Sequence, residues 1–294
     1  MIKCIVCDMD GTLIRYDDRI EEKTYQLLRK CIEQGIEFII ATGRDINMMV
    51  DVLNRYDLKG DMILNNGAQY YLKNGETKEL YPMDNQEFLR IIHILNDYHY
   101  LLAIHTDHGK YSLVNADDFW TYHMKLLNNS ALAKGHPLPQ KTFTMRECYL
   151  RDFHYVEKPE DIVEQGIGVL KIDARLDSDY SVKGVKEQLN SDYLDISSSF
   201  EDNIEITSHQ SHKGKMLKRI LEEKGYLPEE VAIFGDGQND CTMLQLTPYS
   251  FAPSNASQHA KDVAKYHLTK TNDDGAVGEG LEILQEMVLI EKLL

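Results

Sequence analysis

Apolar residues fall along this chain in two rhythms. Short β-rich runs occupy residues 2–7, 36–40, 62–64, 231–234, 249–252 and 266–269, while 20–34, 45–55, 214–224, 240–246 and 277–293 carry helical spacing, the first ending at Gly35. Alternation of this kind predicts an α/β fold, a parallel sheet with helices on both faces. The middle differs. A helix over 85–98 precedes a hairpin-like pair, 101–105 and 111–114, turning on Asp107-His108-Gly109; a strand at 168–174, a helix near 182–190 and strands at 193–197 and 203–207 follow. Hairpins among helices predict an α+β unit with an antiparallel sheet. The expected organisation is a core of residues 1–82 and 208–294 interrupted by an inserted domain, 83–207, with hinges near Pro82 and residues 209–212.

Composition narrows the classes. The 294 residues are 43% hydrophobic and 27% charged, which suits a globular chain and excludes collagenous, disordered and disulfide-scaffold proteins. Lys plus Arg number 32 against 48 for Asp plus Glu, a net charge of -16, so the molecular field repels nucleic acid and anionic lipid. Any phosphate site here must therefore concentrate local positive charge from a metal, a Lys or helix N-termini. No targeting segment is visible and no run approaches a membrane span. The five cysteines are odd in number and scattered, which predicts a reducing compartment, the cytoplasm. Cys4 and Cys7 form a C-x-x-C on a strand, where residues three apart point to opposite faces, so core packing is expected for them.

Four segments carry candidate chemistry. Asp8-Met9-Asp10-Gly11-Thr12 follows the first strand, Thr42-Gly43-Arg44 the second, and Gly235-Asp236-Gly237-Gln238-Asn239-Asp240 a later one, while Lys213 opens a helix. Each alone reads as a turn, a capped loop or a surface lysine. Together they can converge, because ligands of open α/β sheets bind at the carboxyl ends of strands.

The residue types fit one reaction. A carboxylate can attack phosphorus and divide hydrolysis into two steps through an aspartyl-phosphate, provided the meeting of two anions is neutralised. Clustered acids such as Asp8 and Asp236 would hold Mg²⁺, a hard ion that takes oxygen ligands. Lys213 and the Thr42 hydroxyl would contact the remaining phosphoryl oxygens. Asp10 would serve as general acid and base, its proton affinity raised by nearby carboxylates, and its backbone carbonyl would face the metal.

These segments resemble, in order, the four motifs of the haloacid dehalogenase superfamily of phosphotransferases. Ile20-Glu21-Glu22-Lys23-Thr24, Asn66-Gly67-Ala68, Asn203-Ile204-Glu205-Ile206 and Asn272-Asp273-Asp274-Gly275-Ala276-Val277 are similar to flanking signatures of its Cof-type sugar-phosphatase branch. The resemblance implies a Rossmann-like core with a large α/β cap that selects the substrate. It makes Asp8 the nucleophile, Asp10 the acid/base, and Thr42, Gly43, Lys213 and Asn239 phosphate binders. Asp236 becomes a magnesium ligand beside Asp8 and Asp10, with Asp240 and Arg44 in support.

The expected function is Mg²⁺-dependent hydrolysis of a small phosphorylated metabolite, a sugar phosphate or related phosphomonoester, by a monomer or small homo-oligomer that binds neither nucleic acid nor membrane. The alternatives are a phosphomutase using the same nucleophile and a non-catalytic phosphometabolite-binding regulator. Within the insertion, His105 with Asp107 and His108, and nearby His209 with His212, lack companion ligands for zinc. Trp120 with Phe119 and Tyr122 reads as helix packing, and Lys171 as the polar face of a strand.

Overall fold

The computed structural model describes residues 1–134, 138, 141–176, 182–197 and 203–291. In chain order come β1 (Cys4–Asp8), α1 (Glu22–Glu33), β2 (Glu37–Ala41), α2 (Ile46–Tyr56), β3 (Asp61–Leu64), β4 (Gln69–Tyr71), β5 (Thr77–Leu80), α3 (Asn85–Asp97), β6 (Leu101–Thr106), β7 (Gly109–Ser112), α4 (Ala116–Lys134), α5 (Arg146–Tyr149) and β8 (Phe153–Tyr155). Then follow α6 (Glu160–Glu164), β9 (Val169–Arg175), α7 (Val182–Leu189), β10 (Leu194–Ser197), β11 (Asn203–Ser208), α8 (Lys213–Lys224), β12 (Val231–Phe234), α9 (Cys241–Leu244), β13 (Tyr249–Ala252), α10 (Gln258–Val263), β14 (Tyr266–His267) and α11 (Ala276–Glu286). They divide into two compact units, residues 1–44, 49–79 and 212–294, and residues 45–48 and 80–211.

The first unit is built on the α/β sheet that the alternation predicts. Its strand order is β14-β13-β12-β1-β2-β3-β4-β5, and the pairs from β14 through β3 are parallel. All residues of β1 and β12 are buried, as strands covered on both faces must be, and Cys4 and Cys7 pack in this core. Glu21 caps α1 by accepting the backbone N–H groups of Lys23 and Thr24. Gly225, left-handed at φ +71, ends α8.

Two departures have local causes. The β4–β5 edge escapes a hydrophobicity reading because β5 is mostly exposed and polar, and β4 reverses against β3 through Asn65 and Asn66, both at positive φ. The last helix stops at Glu286 rather than near 293, because Val288 turns left-handed (φ +59) and the Leu289 carbonyl then accepts the Ile2 N–H. The final residues of that expectation, 292–293, lie outside the described residues.

The second unit holds a six-stranded sheet ordered β10-β11-β9-β6-β7-β8, antiparallel except between β7 and β8. Period-two alternation sends Ile104, Ile172, Ala174, Ile204 and Ile206 into a core shared with Phe88 and Ile91 of α3. Among the alternate positions, His105 and Lys171 are polar and nevertheless buried: both ring nitrogens of His105 lie 2.8 Å from carboxylates, of Asp45 and Asp173, and Lys171 Nζ is 3.1 Å from Asp173. Lys171, expected on a strand's polar face, is thus a paired interior cation. Phe119, at 1% exposure, packs with Tyr149 and Phe153, as the packing expectation for that cluster holds.

His123 on α4 supplies a stability prediction. Its Nε2 donates to the Phe143 carbonyl at 2.9 Å, its ring stacks on Tyr149, and Nδ1 is buried without a hydrogen-bond partner. Burial pushes its pKa down to about 3 from the usual 6.5, so the folded chain keeps it neutral while the unfolded chain takes up a proton below pH 6.5. Stability should therefore fall as pH drops through the interval between those values, by roughly 1.4 kcal/mol per pH unit for this one proton. His123→Phe should lower stability at pH 7 but lose less between pH 7 and pH 5 than the native chain. Equal losses in thermal melts at the two pH values would remove His123 as the cause.

Candidate active site

Parallel registry aligns the strand exits. Cys7 of β1 sits opposite Phe234 of β12 and Asp8 opposite Ala41 of β2, so Asp8, Thr42 and the 235–240 loop leave the sheet at one edge. After Asp8 the chain turns tightly: the Met9 carbonyl accepts the N–H groups of Thr12, Leu13 and Ile14, and Gly11 adopts φ +84. A Cβ at Gly11 would lie 2.5 Å from Asp236 Oδ2, so only glycine admits this approach of the two loops. The Thr12 hydroxyl donates to Asp236 Oδ1 at 2.6 Å. Gly67, at φ +102, similarly lets the 65–67 turn pass His212, where a Cβ would lie 2.4 Å from the His212 carbonyl carbon.

Lys213 is the electrostatic centre. At 1% exposure it donates from Nζ to Asp8 Oδ1 at 2.5 Å and to Asp240 Oδ1 at 2.8 Å. Asp240 Oδ2 accepts the backbone N–H groups of Asp236 and Gly237, tying that loop to the lysine. Burial works against the ammonium charge, but Asp240 and Asp8 outweigh it and hold the Lys213 pKa above its usual value. The acids are strained the other way. Burial, then the charge of Asp240, pushes Asp236 up to about 7 and Asp8 well above the carboxylate range.

Oxygens of Asp8, Asp236 and Asp240 all lie within 4.8 Å of one another. Three crowded carboxylates offering hard oxygen donors fit a small divalent cation such as Mg²⁺. Asp240, expected in support, stands in this carboxylate cluster itself.

The Asp10 side chain is placed elsewhere. Arg44, 1% exposed, donates from Nε to Asp10 Oδ2 at 2.8 Å and from Nη2 to Asp10 Oδ1 at 2.7 Å. The Asp10 carboxylate is thus held by a guanidinium, a contact that the sequence expectation did not include. Thr42 is buried, and its Oγ1 accepts the Arg44 N–H at 3.1 Å, which leaves the hydroxyl proton available to a ligand. Asn239 donates from Nδ2 to Asn66 Oδ1 at 3.1 Å, and Gly43 lies against that same oxygen, where a Cβ would approach to 2.9 Å.

Thr12 and Asn66 carry no role legible in the sequence, since their partners lie 224 and 173 positions away. Among the histidines, His108 pairs with Asp107, His209 with Asp195 and His212 with Thr242; among the described residues no zinc-type cluster forms.

A family model for haloacid dehalogenase-like hydrolases matches residues 5–281. The chain belongs to the haloacid dehalogenase-like hydrolases. Phosphatase YwpJ of Bacillus subtilis (strain 168) is 24% identical over 291 residues, covering 96% of this chain and 100% of YwpJ. The 5-amino-6-(5-phospho-D-ribitylamino)uracil phosphatase YcsE of the same strain is 24% identical over 281 residues, 95% of this chain and 94% of its own length. A solved haloacid dehalogenase-like hydrolase from B. subtilis shares the fold with a TM-score of 0.81 at 24% identity, over 96% of this chain and 100% of that one. This hydrolase is accordingly an enzyme of phosphatase type. Among its described residues no helix is long and apolar enough to cross a membrane.

Proposed function

We propose that this hydrolase is a Mg²⁺-dependent phosphomonoesterase acting on small phosphorylated metabolites, sugar phosphates or close relatives, through an aspartyl-phosphate on Asp8. The observation that carries this reading is Lys213 bridging Asp8 and Asp240 inside a cluster of three buried-edge carboxylates. Asp8 Oδ attacks phosphorus, forming the acyl-phosphate as the bond from phosphorus to the leaving oxygen breaks. Lys213 Nζ, already beside Asp8, balances charge on the phosphoryl oxygens, and the Thr42 hydroxyl and the Asn239 amide bind them. Asp10, once its carboxylate has left Arg44 and taken up a proton from solvent, gives that proton to the leaving oxygen and then takes one from the water that opens the acyl-phosphate. Asp8 and Asp236 with the backbone carbonyl of Asp10, and Asp240 beside them, would hold Mg²⁺, whose charge would screen the nucleophile from the phosphate. Residues 83–207 act as the cap that selects the leaving group, in the cytoplasm.

The test is inorganic phosphate release across a panel of phosphomonoesters, with Mg²⁺ and with EDTA. Release from several sugar phosphates, lost in EDTA and restored by Mg²⁺, is the expected result. Isomerised product without net phosphate release would make the protein a mutase, and no turnover with any ester would make it a binding protein.

A further inference from the structure

Asp18 sits outside every motif, yet its carboxylate is buried against the group that holds Asp10. Arg44 Nη2 donates at 2.7 Å to Asp18 Oδ1 as well as to Asp10 Oδ1, so one buried guanidinium serves two acids. The two differ in freedom. The Asp10 side chain is 45% exposed, the Asp18 side chain 6%. Asp18 is also anchored without Arg44: its N–H donates to the Arg15 carbonyl, its own carbonyl accepts from Arg55 Nη1 at 2.9 Å, and it holds φ +57. A non-glycine residue in the left-handed region carries strain that its surroundings must maintain, and Asp tolerates it better than most.

We propose that Asp18 is a positioning residue, the standing counter-charge of Arg44, which keeps the guanidinium in place while Asp10 leaves it to reach the leaving-group oxygen. A guanidinium cannot shed its proton, so a buried one clings to whatever carboxylates face it. With Asp18 present, release of Asp10 exposes Arg44 to less cost. With Asp18 neutralised, Arg44 depends more on Asp10 and restrains it where the chemistry does not need it. The inference rests on the phosphatase reading, in which Asp10 transfers the proton.

Asp18→Asn tests it, because asparagine keeps the left-handed backbone and removes only the charge. Turnover is compared on p-nitrophenyl phosphate, whose leaving group needs little protonation, and on an alkyl phosphate, whose leaving group needs it fully. The alkyl kcat should fall about tenfold or more and the aryl kcat less than about threefold, with both KM values held within about twofold. Asp18→Gly, free of backbone strain, should reproduce that selectivity. In an Asp10→Asn background the Asp18 effect should vanish, as it must when one residue acts through another. No fall on the alkyl ester, a larger fall on the aryl ester than on the alkyl, or an undiminished effect in the double variant would each overturn the proposal. Native protein that hydrolyses neither ester overturns the phosphatase reading and this one together; native turnover with an unaltered Asp18→Asn overturns this one alone.

Discussion

Asp8→Asn is expected to reduce phosphate release by about 10⁴-fold or more, the scale seen when a covalent nucleophile is removed, with the fold intact. Asparagine matches aspartate in shape and keeps an oxygen for Lys213 Nζ, which now stands 2.5 Å from Asp8 Oδ1. It fills the same buried place at the end of β1, so no cavity opens. What it lacks is a lone pair able to displace an alkoxide from phosphorus. The measurement is kcat on an aryl phosphate, beside a thermal melt. Because an aryl ester needs little help to leave, its rate does not depend on protonation of the leaving group. Loss of turnover with a cooperative melt retained supports Asp8 as nucleophile. Turnover within tenfold of native would sink that assignment, as would a beryllium fluoride adduct formed at any other side chain.

Lys213→Met carries the second large effect and it reaches stability as well as rate. Methionine approximates the lysine stem while removing the ammonium that touches Asp8 and Asp240. Three acids within 4.8 Å then face one another without it. Breaking a buried ion pair from one side costs about 3–5 kcal/mol, which for a chain of this size lowers Tm by roughly 10 °C. Turnover should drop by about 10³-fold, since a preorganised cation is lost from the developing phosphoryl charge. Added Mg²⁺ should raise the Tm of the variant more than that of the native protein, because the ion would supply charge that the lysine no longer does. A variant that melts like the native chain and gains nothing from Mg²⁺ would show that Lys213 does not neutralise this cluster.

Legibility along the chain followed burial and distance. β1 and β12 could be read because both faces are covered, which leaves uninterrupted apolar residues before Asp8 and Gly235. Lys213 could be proposed only because its place between the other segments matched a family order; nothing around it distinguishes it from a surface lysine. The β4–β5 edge was hidden because β5 is polar and mostly exposed and β4 has only three residues. Asp10 was legible as a candidate acid, but its environment was not, since the guanidinium that holds it comes from 34 positions later. Asp18 left no signal, reading as one more acid in a loop.

The succession of strands and helices along the chain and the positions of the strand exits follow from local composition, because burial on two faces and turn chemistry act over a few residues and are written there directly. Which side chains meet at those exits was decided by tertiary structure alone. Thr12 finds Asp236, Asn66 finds Asn239, and Arg44 chooses Asp10 and Asp18, through loops whose approach depends on glycines at positions 11 and 67. Charges exert their pull through space, and the chain alone does not state the distances over which they act.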